Sequence, residues 1–247
     1  MMIPMLFNTE MVQAIMAGRK TQTRRIVRKK YDNTDLVMFT NKYGTRLVER
    51  QNDAPPPRKY TDENGVRHTV THMVAQRELD PPCKLGDILW VRETWCENKN
   101  PNSQNFGGYE YRADYEGALC QDLITWSPSI HMPKKAARIF LRVKDVRVER
   151  LQSGFSKDGA AIMEFQKEGV EIGETCTECI AQYGHPCCID PDGNTECGEL
   201  DNPRYDFSRL WDSTIKPADL DKYGWNANPW VWVIEFERCA KPEGWCV

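Results

Sequence analysis

Apolar positions along the chain fall into short runs separated by long polar stretches, and their spacing predicts a mixed architecture. Met5-Leu6-Phe7 reads as a short strand. Asn8 is a good helix N-cap, with Glu10 in the first turn where the helix dipole favours an acid. Met11, Val12, Ile15 and Met16 then repeat at helical spacing, and Gly18 supplies the stop. From Thr21 to Arg28 β-branched residues favour a strand. Residues 29–80 are polar, with Asp53-Ala54-Pro55-Pro56-Pro57 and Asn64-Gly65 as loop or turn signals, and read as an insertion with room for a small hairpin.

Lys84-Leu85-Gly86-Asp87 predicts a tight turn before a buried strand at Ile88-Leu89-Trp90-Val91, and residues 96–130 form a second loop-rich insertion. Arg138–Leu151 is the clearest strand. Ile139, Leu141 and Val143 alternate with polar or outward positions, and the parity then shifts by one to Val146 and Val148. A one-residue slip exchanges the faces of a strand, so a β-bulge near Lys144-Asp145 is the economical reading. Ser156 opens a helix that runs to Glu168 and stops at Gly169. Phe207, Leu210, Trp211 and Ile215 mark another that ends at Pro217, and Trp230–Phe236 closes as a core strand. The whole reads as one small α+β barrel carrying three insertions, at about 29–80, 96–130 and 171–204, with no internal repeat.

Composition narrows the class. Hydrophobic residues make up 40% and charged residues 28%, which fits a globular chain rather than a disordered one. No apolar run approaches the roughly 20 residues needed to cross a bilayer, and the N-terminus has no basic segment before an apolar one. These features predict a cytoplasmic chain with no membrane partner. Net charge is −3, yet seven Lys or Arg and no acid lie between Arg19 and Lys30, whereas Asp190–Asp206 is acid-rich. A local basic strip can bind phosphate while the average charge stays negative, and the alternative is a solvated strand face.

Ten cysteines in such a chain favour metal ligands or free thiols over disulfides. Five of them, Cys176, Cys179, Cys187, Cys188 and Cys197, cluster in the third insertion. Their spacing has zinc-knuckle features, a Cys-x-x-Cys turn and a later Cys-Gly, and predicts structural zinc ahead of a cluster of reduced thiols. The third ligand stays open between Cys187, Cys188 and His185. Trp90, Arg92 and Glu93 form a further candidate wall, since tryptophan can stack a base and an Arg-Glu pair can read its polar edge. Trp90 in an apolar strand is more often core.

Several of these segments together resemble a known family. Phe7-Asn8-Thr9-Glu10-Met11-Val12 followed by Gly18-Arg19-Lys20-Thr21-Gln22-Thr23-Arg24-Arg25 resembles the opening of ASCH-domain proteins, in their longer phage and prophage branch. Gly86–Trp95, His131-Met132-Pro133, Glu168-Gly169-Val170 and Asn228–Val233 continue the resemblance in order. It implies a β-barrel of the PUA-like type with short flanking helices, a group associated with RNA binding and modified bases. One small bacterial ASCH protein is an amidohydrolase that removes the acetyl group of N4-acetylcytidine. Carried over by motif, its catalytic roles fall to Lys20, Thr23 and Glu168, with Glu164 one turn from the last.

Amide hydrolysis needs a nucleophile, a group to take its proton and stabilisation of the oxyanion. Lysine serves as the base only where burial or a neighbouring cation lowers its pKa. On a strand Thr21 and Thr23 share one face and would line a pocket wall, with Gln22 and Arg24 on the other face and Lys20 entering from the turn. The sequence therefore predicts a protein that binds RNA or a modified nucleoside through Arg19, Thr21, Arg24, Arg25, Trp90, Arg92 and Glu93, with amidohydrolase activity on an N4-acylated cytidine as the specific expectation. A non-catalytic RNA-binding module, in which Lys20 and the arginines contact phosphates, is one alternative. A phage accessory protein that docks a protein partner through its acidic insertion is another.

Overall fold

A computed structural model of the chain describes residues 1–32, 34–42, 44–51, 58–70, 76–103, 105–115, 124–153, 160–170 and 203–245. The protein is mixed α+β, with many strands and few short helices. In chain order these are β1 (Met2–Leu6), α1 (Thr9–Met16), β2 (Gln22–Ile26), β3 (Thr34–Asn41), β4 (Gly44–Gln51), β5 (Arg58–Thr61), β6 (Arg67–Val70), β7 (Gln76–Glu78), β8 (Ile88–Arg92), β9 (Trp95–Glu97), β10 (Tyr109–Tyr111), β11 (Phe140–Arg150), α2 (Ala160–Lys167), α3 (Pro203–Ser213), α4 (Leu220–Tyr223) and β12 (Trp230–Cys239). Residues 1–25 with 83–247 form one compact unit, and Ile26–Pro82 forms another.

The larger unit is built on a five-stranded sheet in the order β1-β8-β11-β12-β2. β1 runs parallel to β8, and β11 is antiparallel to both β8 and β12. The parity shift of β11 is a real irregularity, falling between Val143 and Asp145 in the register with β12. It lets Val143 and Val146 both reach the core on either side of the slip. That core gathers Met5 from β1 and Phe7 just after it, Val12 and Ile15 from α1, Leu89 and Val91 from β8, Leu141 from β11, and Ile234 and Phe236 from β12. Each such side chain contributes roughly 1.5–3 kcal/mol by leaving water.

Among the described residues no backbone pairing joins the two edges of this sheet, β1 and β2. A side chain does so instead. Arg25 of β2 donates from Nη2 to the Leu6 carbonyl at 2.7 Å, and its guanidinium lies 5.1 Å from the centre of the Phe7 ring.

α1 behaves as its sequence predicts. The Asn8 side chain accepts from the Met11 amide at 2.9 Å, which satisfies a donor the first turn would leave orphaned. At the other end Gly18 takes φ +76°, and the amides of Arg19 and Lys20 both turn back to the Ala14 carbonyl, at 2.9 and 3.0 Å. This termination sets Lys20 against the helix rather than out in solvent.

The Ile26–Pro82 unit pairs β3, β4 and β7 into one sheet and β5 with β6 into a hairpin, whose turn carries Gly65 at φ +78°. Its small interior is organised by a carboxylate. Glu49 is 2% exposed and accepts from Thr34 Oγ1, the Lys30 and Tyr31 amides and Arg77. Burial opposes the charge, but these donors outweigh it and hold the carboxyl down to about 2.

Among the described residues no helix is long and apolar enough to cross a membrane. The predicted N-cap at Ser156, and the third insertion with Cys176, Cys179, His185, Cys187, Cys188 and Cys197, lie outside the described residues.

Candidate functional site

Three chain segments meet around Lys20. The turn after α1 places it, β2 follows it directly, and the C-terminal turn of α2 closes over it. The Thr21 amide donates to the Lys167 carbonyl at 2.9 Å, which ties the turn to α2 by backbone alone. Gly169 makes the approach possible. It sits at φ +87°, and a Cβ there would stand 2.9 Å from Ala14 Cβ and 3.1 Å from Lys20 Cβ.

The Lys20 ammonium donates to the Glu168 carbonyl at 2.6 Å and to Glu168 Oε2 at 3.0 Å. Neither partner sees water, with side-chain exposures of 0% and 3%. Arg24 takes the other oxygen of the same carboxylate, Nη1 to Oε1 at 2.5 Å, and reaches Glu164 Oε2 with Nη2 at 3.2 Å. Gln22 fits between the two acids. Its Nε2 donates to Glu164 Oε2 at 3.0 Å and Glu168 Oε1 at 3.2 Å, while its Oε1 accepts from Arg147 Nη2 at 3.1 Å. Arg147 is itself held by Glu149 and Glu235 at 2.6 Å each.

Burial is the largest influence on Lys20 and lowers its pKa. The charge and hydrogen bond of Glu168 oppose that, Arg25 and Arg24 add to it, and the net value lies below the ordinary 10.5. Burial would raise Glu168, but the charges of Lys20 and Arg24 and the hydrogen bonds from Lys20 and Gln22 prevail, so its carboxyl stays below its usual range. Glu164 is likewise pushed up by burial but held down to about 2 by Gln22, Lys167 and Arg24. The arrangement is an ionised acid with two buried cations, one of which gives up its proton more readily than a free lysine.

The structure thus brings Lys20, Arg24 and Glu168 into one cluster, and with them two groups outside the predicted set, Gln22 and Arg147. Gln22 and Arg24 share the face of β2 that meets α2, so the pocket wall expected from Thr21 and Thr23 is not where the acids are. Thr21 is exposed. Thr23 is buried, on the alternate face of β2 with Arg25, and it is not hydrogen-bonded to Lys20 or Glu168. Arg19 is exposed at the end of the turn. The signal for the missed partners was present as Glu164 and Glu168, spaced to share one face of a helix opposite two long polar side chains on a strand.

The other predicted wall lies elsewhere on the sheet. Leu89 and Val91 enter the main core, so Trp90 and Arg92 face the opposite side. There Trp90 packs edge-on to Trp245 at 5.8 Å in a cluster with Met132 and Phe140. Arg92 lies over the Trp90 ring at 5.6 Å and donates to the Ile130 carbonyl. Glu93 is 1% exposed and accepts both Nε and Nη2 of Arg138, at 2.9 and 2.8 Å. Burial raises the Glu93 carboxyl against the hydrogen bonds and charge of Arg138. Among the described residues no group of three or more His, Cys, Asp or Glu is placed to hold a metal.

Compared with known proteins, the chain matches no family model, no curated protein and no solved structure.

The close approach at Gly169 yields a direct test. Gly169→Ala combines a disfavoured backbone conformation with a clash against Ala14 and Lys20. It should lower unfolding free energy by about 1–3 kcal/mol in urea titration. Unchanged stability would mean that α2 does not close on Lys20 as described.

Proposed function

We propose that the chain is an ASCH-like protein with a PUA-like barrel that binds a modified nucleoside and hydrolyses the amide of an N4-acylated cytidine. With this reading go a phage or prophage origin, a place in the host cytoplasm and RNA as the source of the substrate. The observation that carries it is the buried Lys20–Glu168 pair, at 3.0 Å with Lys20 titrating below an ordinary lysine. A base must lose its proton to act, and a desolvated lysine does so nearer neutral pH. A phosphate contact needs the opposite, an exposed cation, and Lys20 and Arg24 are 2% and 4% exposed and held by carboxylates.

In the proposed reaction a hydroxyl attacks the acyl carbonyl carbon and its proton passes to Lys20 Nζ. The carbonyl carbon–N4 bond breaks, N4 takes a proton, and water then releases the acid from the acylated hydroxyl. Glu168 compensates the lysine as it gains charge. The motif resemblance assigns the hydroxyl to Thr23, which lies on the other face of β2 from the Lys20–Glu168 pair, so the proposed step requires that pair to open toward the substrate. The barrel is part of the proposal: among the described residues the edge strands β1 and β2 meet through the Arg25–Leu6 contact and not through backbone pairing.

Wild-type protein should release acetate from N4-acetylcytidine, followed by chromatography. Lys20→Arg should lose turnover by orders of magnitude, because a guanidinium keeps its charge and cannot accept the proton. Thr23→Ala should be as damaging if Thr23 is the nucleophile, and mild if water is. No wild-type turnover would sink the substrate, and full activity in Lys20→Arg would remove lysine as the base.

Structural zinc in the cysteine-rich insertion belongs to the same proposal, on the spacing of Cys176, Cys179, Cys187 or Cys188, and Cys197. Elemental analysis of untagged protein should find about one zinc per chain. Less than about a tenth of that would remove the metal.

A further inference from the structure

We propose that Arg24 is the positioning residue of this site: one buried guanidinium grips Glu164 and Glu168 together and so fixes how Glu168 is shared with Lys20. The inference rests on the reading of Lys20 as the base, and it assigns a part in the site to a residue that would otherwise count as a nucleic-acid contact.

The oxygens of Glu168 are divided. Oε2 faces Lys20 at 3.0 Å and Oε1 faces Arg24 at 2.5 Å, so the carboxylate is a bridge between two cations. The second arm of Arg24 ends on Glu164 Oε2 at 3.2 Å, one turn back on α2. The fork therefore spans two acids of one helix face and fixes that face against β2. Gln22 seals the gap between the acids, and its amide orientation is set because its oxygen must meet Arg147. The side chain of Arg24 is 1% exposed. It cannot reach a substrate without abandoning both acids, so its influence on chemistry runs through Glu168.

Among the described residues the charged groups around the cluster come from three elements. β2 contributes Arg24 and Arg25, α2 and its last turn contribute Glu164, Lys167 and Glu168, and β11 contributes Arg147. Arg147 is absorbed by Asp145, Glu149 and Glu235. Arg24 draws carboxylate charge away from Lys20 and repels the ammonium directly, and both effects ease the loss of the lysine proton. Without Arg24, Glu168 would belong to Lys20 alone and hold that proton tightly.

The test follows the Lys20 side chain by NMR of lysine-labelled protein through a pH titration, alongside the pH profile of N4-acetylcytidine hydrolysis. In Arg24→Gln the Lys20 midpoint should rise by about one pH unit or more, and the rising limb of kcat should move up with it. In Arg24→Lys the charge stays but the fork is lost. The Lys20 midpoint should remain near wild type while kcat falls and KM holds.

A Lys20 midpoint unmoved in Arg24→Gln, or a raised KM with unchanged kcat in Arg24→Lys, would overturn the assignment. If Arg24→Gln fails to fold, the charge-balanced Arg24→Gln/Glu164→Gln variant replaces it with the same expected rise. No wild-type turnover, with the midpoint still moved by Arg24→Gln, would end the hydrolase reading and leave the positioning role standing.

Discussion

Charge that leaves water must be met by charge, and the site depends on how Glu168 meets that demand. Taking an ion out of water costs several kcal/mol even after the protein relaxes, so a buried lysine and a buried arginine persist only where a carboxylate is held for both. Glu168 has to stand between them, and much of the local architecture serves that placement. The turn at Gly18 after α1 folds the chain back with Lys20 inward. Glu168 directly follows α2, and Gly169 lets this end close on Lys20 without a side chain in the way. Gln22 fills the gap between the two acids and is itself held by Arg147, which links the cluster into one polar network.

The same constraint divides the basic segment by environment. Seven cations between Arg19 and Lys30 read as a strip for phosphates, yet they divide by environment. Lys20 and Arg24 are spent on Glu168 and Glu164, while Arg25 bridges the edges of the sheet through the Leu6 carbonyl. Arg19 and residues 28–30 are exposed.

Much of the scaffold was legible in the sequence because it is written in local rules. The Asn8 cap, the Gly18 stop and the strands at Ile88 and Trp230 all follow from periodicity and end signals. The slip in β11 was readable because two valines change parity across Lys144-Asp145. The site was only half legible. Lys20 and Glu168 were named through a motif resemblance, but Gln22 and Arg24 were assigned to a strand face that nothing local says α2 will cover. A polar face on a strand usually means solvent, and only tertiary packing makes it the buried half of an ion cluster. Trp90 and Arg92 show the converse. Their residue types suggest a base-stacking wall, whereas strand alternation commits them to the cluster around Trp245, away from the core that receives Leu89 and Val91.

Lys20 and Glu168 form one energetic unit, and a double-mutant cycle measures it. Lys20→Met and Glu168→Leu, made singly and together, should be compared by denaturant unfolding at neutral pH. Removing Glu168 alone strands a buried ammonium beside Arg24 and should cost about 3–5 kcal/mol. The double variant should cost less than the sum of the singles by about 1–3 kcal/mol. Singles that add to within about 0.5 kcal/mol would show that the two side chains are not coupled, and would contradict the account at its base.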